Sequence, residues 1–377
     1  MGKKKKKKIR VAFRKNRQQR ARRTNLTKDV LEQADGTEDL ATGERLSGKG
    51  DLTRYRTVIG IETESANGTQ VLIDVDESKC LHGRVVAAVG LNSIVQTDEG
   101  QGHRYECTVR RVVRTLSRDG RNAVVTGDHV LFQPTDDEYG VIERVNPRRS
   151  TLSRGSQRQE HVIVANIDQV LIVTSADEPP LKPNLIDRFL ISAEKGRVNA
   201  IICINKSDLI DPVDLQPLIG TYARLGYEIV LTSATAQSGI ARLRSLLKNK
   251  ETVLSGQSGV GKSSLLNAVE PSLNLQTTDV SRWSTKGRHT TRRAVLLALE
   301  FGGWVVDTPG IRQFELWDVI PEEVEGFFVE FRPFVAKCRF PDCSHTHETG
   351  CGVKRAVDQD LIARTRYESY LKIVLDR

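Results

Sequence analysis

The sequence predicts a multidomain protein: a small OB-fold β-barrel, a doubly wound α/β domain with a phosphate loop, and a small, mainly α zinc-binding domain. Three observations predict it. Residues 83–145 are short β runs punctuated by Gly100, Gly120, Gly127 and Gly140. From residue 166 the rhythm becomes strand, helix, strand, and it leads into a glycine-rich phosphate loop. Near the C-terminal end, three cysteines and a histidine fall within fourteen residues.

The first eighty residues read as a basic, largely disordered extension. Residues 1–23 hold thirteen Lys/Arg and no acid; subtracting these from the net charge of +9 leaves −4 for the rest. Such a tail attracts polyanions in a salt-dependent way; the competing reading is a solvated arm with no partner. Residues 57–74 have some strand-like alternation. The N-terminus carries no apolar core, so no secretory signal is expected. The longest apolar stretches, such as 170–176 and 294–299, are strand-length, so no membrane span is expected.

The barrel is expected over residues 81–155, with strands at 84–89, 105–113, 123–125, 129–132 and 140–145. Five short strands in this length suit an OB-fold, a fold that commonly binds nucleic acid. Aromatics are few (Tyr105, Phe132, Tyr139), whereas Arg110, Arg111, Arg114, Arg118 and Arg121 favour a phosphate-contacting face. A barrel serving only as a spacer is the alternative.

The α/β domain is expected over residues 156–318. Strands are read at 169–174, 200–204, 228–232, 253–254, 294–300 and 303–307, with helices at 185–195 and 262–269. Gly256, Gln257, Ser258, Gly259, Val260, Gly261, Lys262 and Ser263, followed by Ser264, fit the G-x-x-x-x-G-K-[ST] pattern between a strand and a helix. The glycines let backbone N–H groups wrap phosphate oxygens, and the helix N-terminus adds partial positive charge. Lys262 is expected to reach the β- and γ-phosphates and Ser263 to ligate Mg²⁺.

Asn205, Lys206, Ser207 and Asp208 end an apolar strand. A carboxylate at Asp208 can accept from guanine N1–H and its exocyclic amine, donors that adenine lacks there. Lys206 would cover the base, and Ser233–Ala234 fits the supporting loop. Asp307-Thr308-Pro309-Gly310 ends another strand; Asp307 would hold Mg²⁺ through water and the Gly310 N–H would meet the γ-phosphate. Between them lies Gly287-Arg288-His289-Thr290-Thr291, where either Thr290 or Thr291 closes over Mg²⁺ and phosphate. The position after Gly310, where many GTPases carry a water-orienting Gln, is Ile311. His289 is the candidate within the chain to accept from the attacking water; packing or partner contact is its other reading. The guanine motif precedes the phosphate loop, the reverse of the usual order.

The last segment, residues 319–377, opens on an amphipathic helix from Pro321 with Val324, Phe327, Phe328 and Phe331 on one face. Cys338-x4-Cys343-x-His345-x5-Cys351 then supplies the donor set of a closed structural Zn²⁺ site, with His347 as the alternative to His345, before a helical tail. Cys80, Cys107 and Cys203 read as core thiols. Metal rather than a disulfide framework points to a reducing compartment.

Together, NKSD, SA, GQSGVGKSS, GRHTT, DTPG and the cysteine module closely resemble the circularly permuted GTPases of the RsgA (YjeQ) family, over about residues 83–377. The resemblance implies an OB domain, a permuted GTPase domain and a zinc domain. It also implies GTP hydrolysis stimulated by the small ribosomal subunit during its late maturation, with contacts to its rRNA, in the cytoplasm. Those proteins also carry a hydrophobic residue at the position of Ile311, and their proposed catalytic histidine corresponds to His289. The first eighty residues depart from the family pattern and inherit no role. A monomer is expected. The competing readings are a GTP-sensing RNA-binding module with negligible turnover, kept alive by Ile311, and a small-molecule P-loop kinase or ATPase, which NKSD disfavours.

Overall fold

The structure, a computed structural model, describes residues 6–12, 55–65, 68–73, 75–89, 92–98, 102–116, 123–156, 159–275, 294–307 and 321–375. Within the extension, β1 (Lys6–Ala12), β2 (Tyr55–Ser65) and β3 (Gly68–Ile73) form a three-stranded antiparallel sheet. The alternation at 57–74 therefore marks strands in a segment whose composition reads as disordered.

Five strands close a barrel: β4 (Leu81–Val89), β5 (Asn92–Thr97), β6 (Arg104–Val109), β7 (His129–Pro134) and β8 (Tyr139–Val145). Their order is β4-β5-β6-β8-β7, and β7 pairs back onto β4. The β6–β8 pair is parallel and the others antiparallel. A short helix, α1 (Arg111–Leu116), lies between the third and fourth strands. This is the OB arrangement, filled by Val85, Val95, Cys107, Val130, Phe132 and Ile142.

The strand count matches the sequence expectation but one member differs. Residues 123–125 form a buried turn whose neighbour Thr126 makes an isolated bridge to Val164. The fifth strand is β5, whose sequence NSIVQT holds only two apolar residues, adjacent rather than alternating, so its strand signal is short. Residues 111–113, expected to extend β6, turn into α1.

A hairpin that the pattern did not reveal, β9 (Thr151–Ser156) and β10 (Gln159–Ala165), joins the barrel to the α/β region. There the strands are β11 (Gln169–Ser175), β12 (Asn199–Asn205), β13 (Glu228–Leu231), β14 (Glu251–Ser255), β15 (Val295–Ala298) and β16 (Trp304–Asp307). Their order is β13-β12-β11-β14-β16-β15, all parallel except β15. Helices α2 (Pro183–Gly196) and α3 (Gln216–Arg224) bury Ile186, Phe189, Leu190 and Tyr222 on one face. On the other, α4 (Ile240–Leu247) and α5 (Lys262–Val269) bury Leu243, Leu247, Leu265 and Leu266. With crossovers covering both faces, the β strands read as continuous apolar runs.

The barrel and the α/β sheet meet at a seam where Ala87 of β4 pairs with Val295 of β15. Arg84 crosses it to Glu251 at 2.5 Å and stacks over Trp304. The Thr126 hydroxyl donates to the Ala294 carbonyl at 2.9 Å.

Four short helices complete the chain: α6 (Pro321–Phe327), α7 (Arg332–Val335), α8 (Gly352–Asp358) and α9 (Arg364–Leu375). Val324, Phe328, Phe331, Tyr370 and Ile373 form their core, and Ile191 of α2 joins it. Among the described residues no helix is long and apolar enough to cross a membrane.

Candidate nucleotide site and metal centre

Parallel strands bring their carboxyl ends to one edge, and neighbouring β11 and β14 send their crossovers to opposite faces. A crevice opens there, at the switch point of the sheet. The segments after β12, β14 and β16 all emerge at this edge. NKSD and the phosphate loop thus meet although the first lies some fifty residues upstream of the second.

The phosphate loop depends on backbone that only glycine adopts easily. Gly256 has φ +140°, and a Cβ there would lie 2.0 Å from the Val173 carbonyl oxygen. Gly261 has φ +88°, and its Cβ would meet Asn205 Nδ2 at 2.6 Å. The loop runs into α5, whose first N–H groups have no helical partner and carry the positive end of the dipole. Lys262 opens that helix, its ammonium donating to the Gly256 and Gln257 carbonyls at 2.8 and 2.6 Å. Ser258 and Gly259 are exposed, whereas Val260 is buried and anchors the loop to the core.

Asn205 joins the two motifs. It is 1% exposed, and its Nδ2 donates to the Val260 carbonyl at 2.9 Å. Its Oδ1 accepts from the Thr232 hydroxyl at 3.1 Å. That donation uses the Thr232 proton, so the Cys203 thiol, 3.3 Å from Thr232 Oγ1, donates in turn. Burial pushes the Cys203 thiol up to about 12, keeping it protonated for this role. The amide is therefore oriented by a buried chain from Cys203 through Thr232. Sequence reading missed Thr232; the signal was its place directly before Ser233–Ala234.

Lys206 has a left-handed backbone (φ +60°), and its ammonium donates to the Glu178 carbonyl. The Ser207 N–H and hydroxyl both reach the Thr232 carbonyl at 3.1 Å. This leaves the Asp208 carboxylate exposed at the crevice edge. Ser233 is fully buried; its hydroxyl accepts from Ala236 N–H at 2.9 Å, closing the loop that carries Ala234. Ser263 and Ser264 lie in the first turn of α5 and are partly exposed. Asp307 closes β16, one residue beyond the Val253–Val306 pair. His289, Thr290, Thr291, Gly310 and Ile311 lie outside the described residues.

The second centre gathers Cys338, Cys343, His345 and Cys351, whose donor atoms lie within 4.8 Å of one another. His345 Nδ1 is 3.5 Å from Cys338 Sγ and 3.3 Å from Cys351 Sγ, and those sulfurs are 3.9 Å apart. A tetrahedral ion with bonds of about 2.3 Å to sulfur and 2.0 Å to nitrogen separates its ligands by roughly 3.5–3.8 Å, so the cluster can hold such a metal ion. Backbone N–H groups of Gly352 and Lys354 point at Cys338 and Cys351 Sγ at 3.2 and 3.4 Å, where they would compensate thiolate charge were a metal bound.

His345 is fully buried, whereas the alternative ligand His347 is 86% exposed and turned toward Glu348. Glu348 also fixes the turn around His345, accepting from Ser344 N–H and Oγ and from Thr346 N–H. Burial raises its carboxyl, but the Ser344 hydrogen bonds outweigh that and bring it down to about 2. Tyr367 donates to the His345 carbonyl at 2.7 Å.

A family model described as RsgA GTPase matches residues 145–317. The small ribosomal subunit biogenesis GTPase RsgA of Chlorobaculum tepidum is 41% identical over 306 residues, spanning 78% of this chain and 97% of that protein. The protein of the same name from Thermotoga maritima is 41% identical over 292 residues, spanning 77% and 94%. Among solved structures, YjeQ from Thermotoga maritima superposes with a TM-score of 0.64 at 38% identity, over 79% of this chain and 99% of that one. YloQ, described as a circularly permuted GTPase, gives 0.62 at 29% identity, over 80% and 96%. The relatives are thus matched nearly end to end, and the reversed motif order is accounted for by permutation. The chain is a GTP hydrolase belonging to the RsgA GTPase family.

Proposed function

We propose that this chain binds GTP with Mg²⁺ at the crevice, docks on the small ribosomal subunit and its rRNA, and couples hydrolysis to late maturation of that subunit. The observation that carries the reading is the hydrogen bond from Asn205 to the Val260 carbonyl, which makes the guanine motif and the phosphate loop one site. The names of the relatives, small ribosomal subunit biogenesis GTPases, support the partner.

Asp208 selects guanine, Lys206 and the Ser233–Ala234 loop frame the base, and residues 256–261 cradle the phosphates. Lys262 and the α5 N-terminus stabilise charge as water attacks the γ-phosphate. Ser263 and Asp307 would hold Mg²⁺, with Thr290 or Thr291 closing over it and the Gly310 N–H on the γ-phosphate. With Ile311 unable to orient water, His289 takes that role. Zn²⁺ at Cys338, Cys343, His345 and Cys351 is structural, because four protein donors leave no open position.

Residues 1–80, 81–155, 156–318 and 319–377 are the proposed extension, barrel, GTPase domain and zinc domain of a cytoplasmic monomer. Exposed basic residues of the barrel and zinc module meet phosphates. Cosedimentation with purified small subunits tests the cycle. A GTP analogue should hold the protein on the subunit and GDP should release it; equal binding in both states would refute nucleotide-gated docking.

A further inference from the structure

One buried polar atom in the metal centre is used neither by the metal nor by the backbone around it. His345 turns Nδ1 toward the cysteines. Its other ring nitrogen, Nε2, is enclosed, and faces Glu325 Oε2 at 3.0 Å. The Glu325 oxygen lies within hydrogen-bond distance, yet Nε2 is buried with no hydrogen bond made to it. Glu325 lies on α6, its side chain about one third exposed. The ring is otherwise packed by aromatic groups, Phe331 edge-on at 6.0 Å and Tyr370 at 6.2 Å.

An imidazole that gives one nitrogen to a metal must carry its proton on the other, and a carboxylate there fixes the tautomer and raises the basicity of the ligand. We infer that Glu325 is the positioning residue of the metal centre: it accepts the Nε2 proton of His345 and commits Nδ1 to the ion. Its place is notable because, among the described residues, α6 is the first helix after Asp307, and the chain supplies this carboxylate before any of the cysteines of the cluster. The inference rests on the reading of the cluster as a zinc site.

The test uses the full chain loaded with Zn²⁺ or Co²⁺, and compares wild type with Glu325→Ala and Glu325→Gln. Metal content of the wild type comes first, and a wild type that takes up no zinc overturns the site and the inference together. Given one bound ion, transfer to a chromogenic chelator should show affinity lower by about 10–100-fold in Glu325→Ala. Glu325→Gln, which keeps an acceptor oxygen, should recover part of it. Long-range ¹⁵N–¹H spectra should place the proton on Nε2 and the metal on Nδ1. The Co²⁺ visible bands should shift in the alanine variant and return toward wild type in the glutamine variant. Wild-type metal retention and an unshifted cobalt spectrum in Glu325→Ala would overturn the assignment. So would equal losses in both variants that follow a lowered melting temperature, since packing alone would explain them.

Discussion

Replacing Arg366 by methionine should release the metal module from the GTPase domain while leaving the nucleotide crevice in place. Arg366 of α9 is 2% exposed, yet it is an ionised side chain between two domains. Its Nη1 donates to Asp187 of α2 at 2.6 Å, and its Nε and Nη2 grip Glu330 at 2.6 and 3.1 Å. The guanidinium stacks 4.4 Å from the Phe328 ring centre. The Tyr222 hydroxyl donates to the same Asp187 oxygen at 2.6 Å. Burial opposes the charge on Arg366, but Asp187 and Glu330 outweigh it and hold the group protonated. Methionine would fill the volume and leave two buried carboxylates without their cation, which costs about 3–5 kcal/mol. At about 1.4 kcal/mol per tenfold, amide exchange in α9 and the facing turns of α2 should accelerate by about 10²–10⁴-fold. Exchange in β14 and α5 should change little. Adding Asp187→Asn should return part of the protection, because one orphaned charge is removed. Acceleration below tenfold in α9 would refute the claim that this ion cluster clamps the two domains.

Three further outcomes follow from the sites. Asp208→Asn offers guanine a donor where it needs an acceptor, so GTP affinity should fall by about 10²-fold in a titration of fluorescent nucleotide, without a gain in ATP affinity. Gly256→Ala places a methyl group against the Val173 carbonyl in a backbone region that alanine resists; nucleotide binding should be lost in the same titration, and retention within threefold would contradict the loop geometry. Removing the metal proposed for the cysteine cluster with a strong chelator should open the core around Phe328, Phe331 and Tyr370, seen as lost near-ultraviolet dichroism and faster exchange in α8 and α9. Unchanged spectra after verified metal loss would argue against a folding role for the ion.

What the sequence disclosed depended on distance along the chain. The phosphate loop, NKSD and the cysteine cluster are compact, and each spacing carries its chemistry, so their positions were readable from single segments. The reversed order of the motifs was legible too, because a parallel sheet aligns strand ends whatever the chain order. Contacts across long separations were not. Asp187 and Arg366 stand far apart in sequence, and nothing in either helix marks a buried pair. Thr232 looked like the end of an ordinary strand until its hydroxyl was seen on Asn205. Glu325 drew no reading of its own, because its partner His345 lies twenty residues further along the chain. In the barrel, Asn92–Thr97 offers only a short signal in Ile94, Val95 and Thr97, and pairing with neighbours on both sides completes the strand. The apolar run at 123–125 instead packs into the barrel as a buried turn. In the hairpin of β9 and β10, β9 is mainly polar and holds a glycine, so only the apolar run Val162–Ala165 of β10 carried a strand signal. In the extension, the alternation at 57–74 carried the signal of β2 and β3, while the basic run of β1 carried none.

The measurement that bears most directly on the account is GTP turnover at fixed moderate salt, with and without purified small ribosomal subunits, for wild type and His289→Ala. The account predicts slow turnover alone, strong acceleration by subunits, and loss of that acceleration in the variant. Acceleration that survives the substitution would move water positioning to another residue or to the ribosome. Tight GTP binding with no acceleration in wild type would contradict the central claim and leave a nucleotide-sensing binder as the better description.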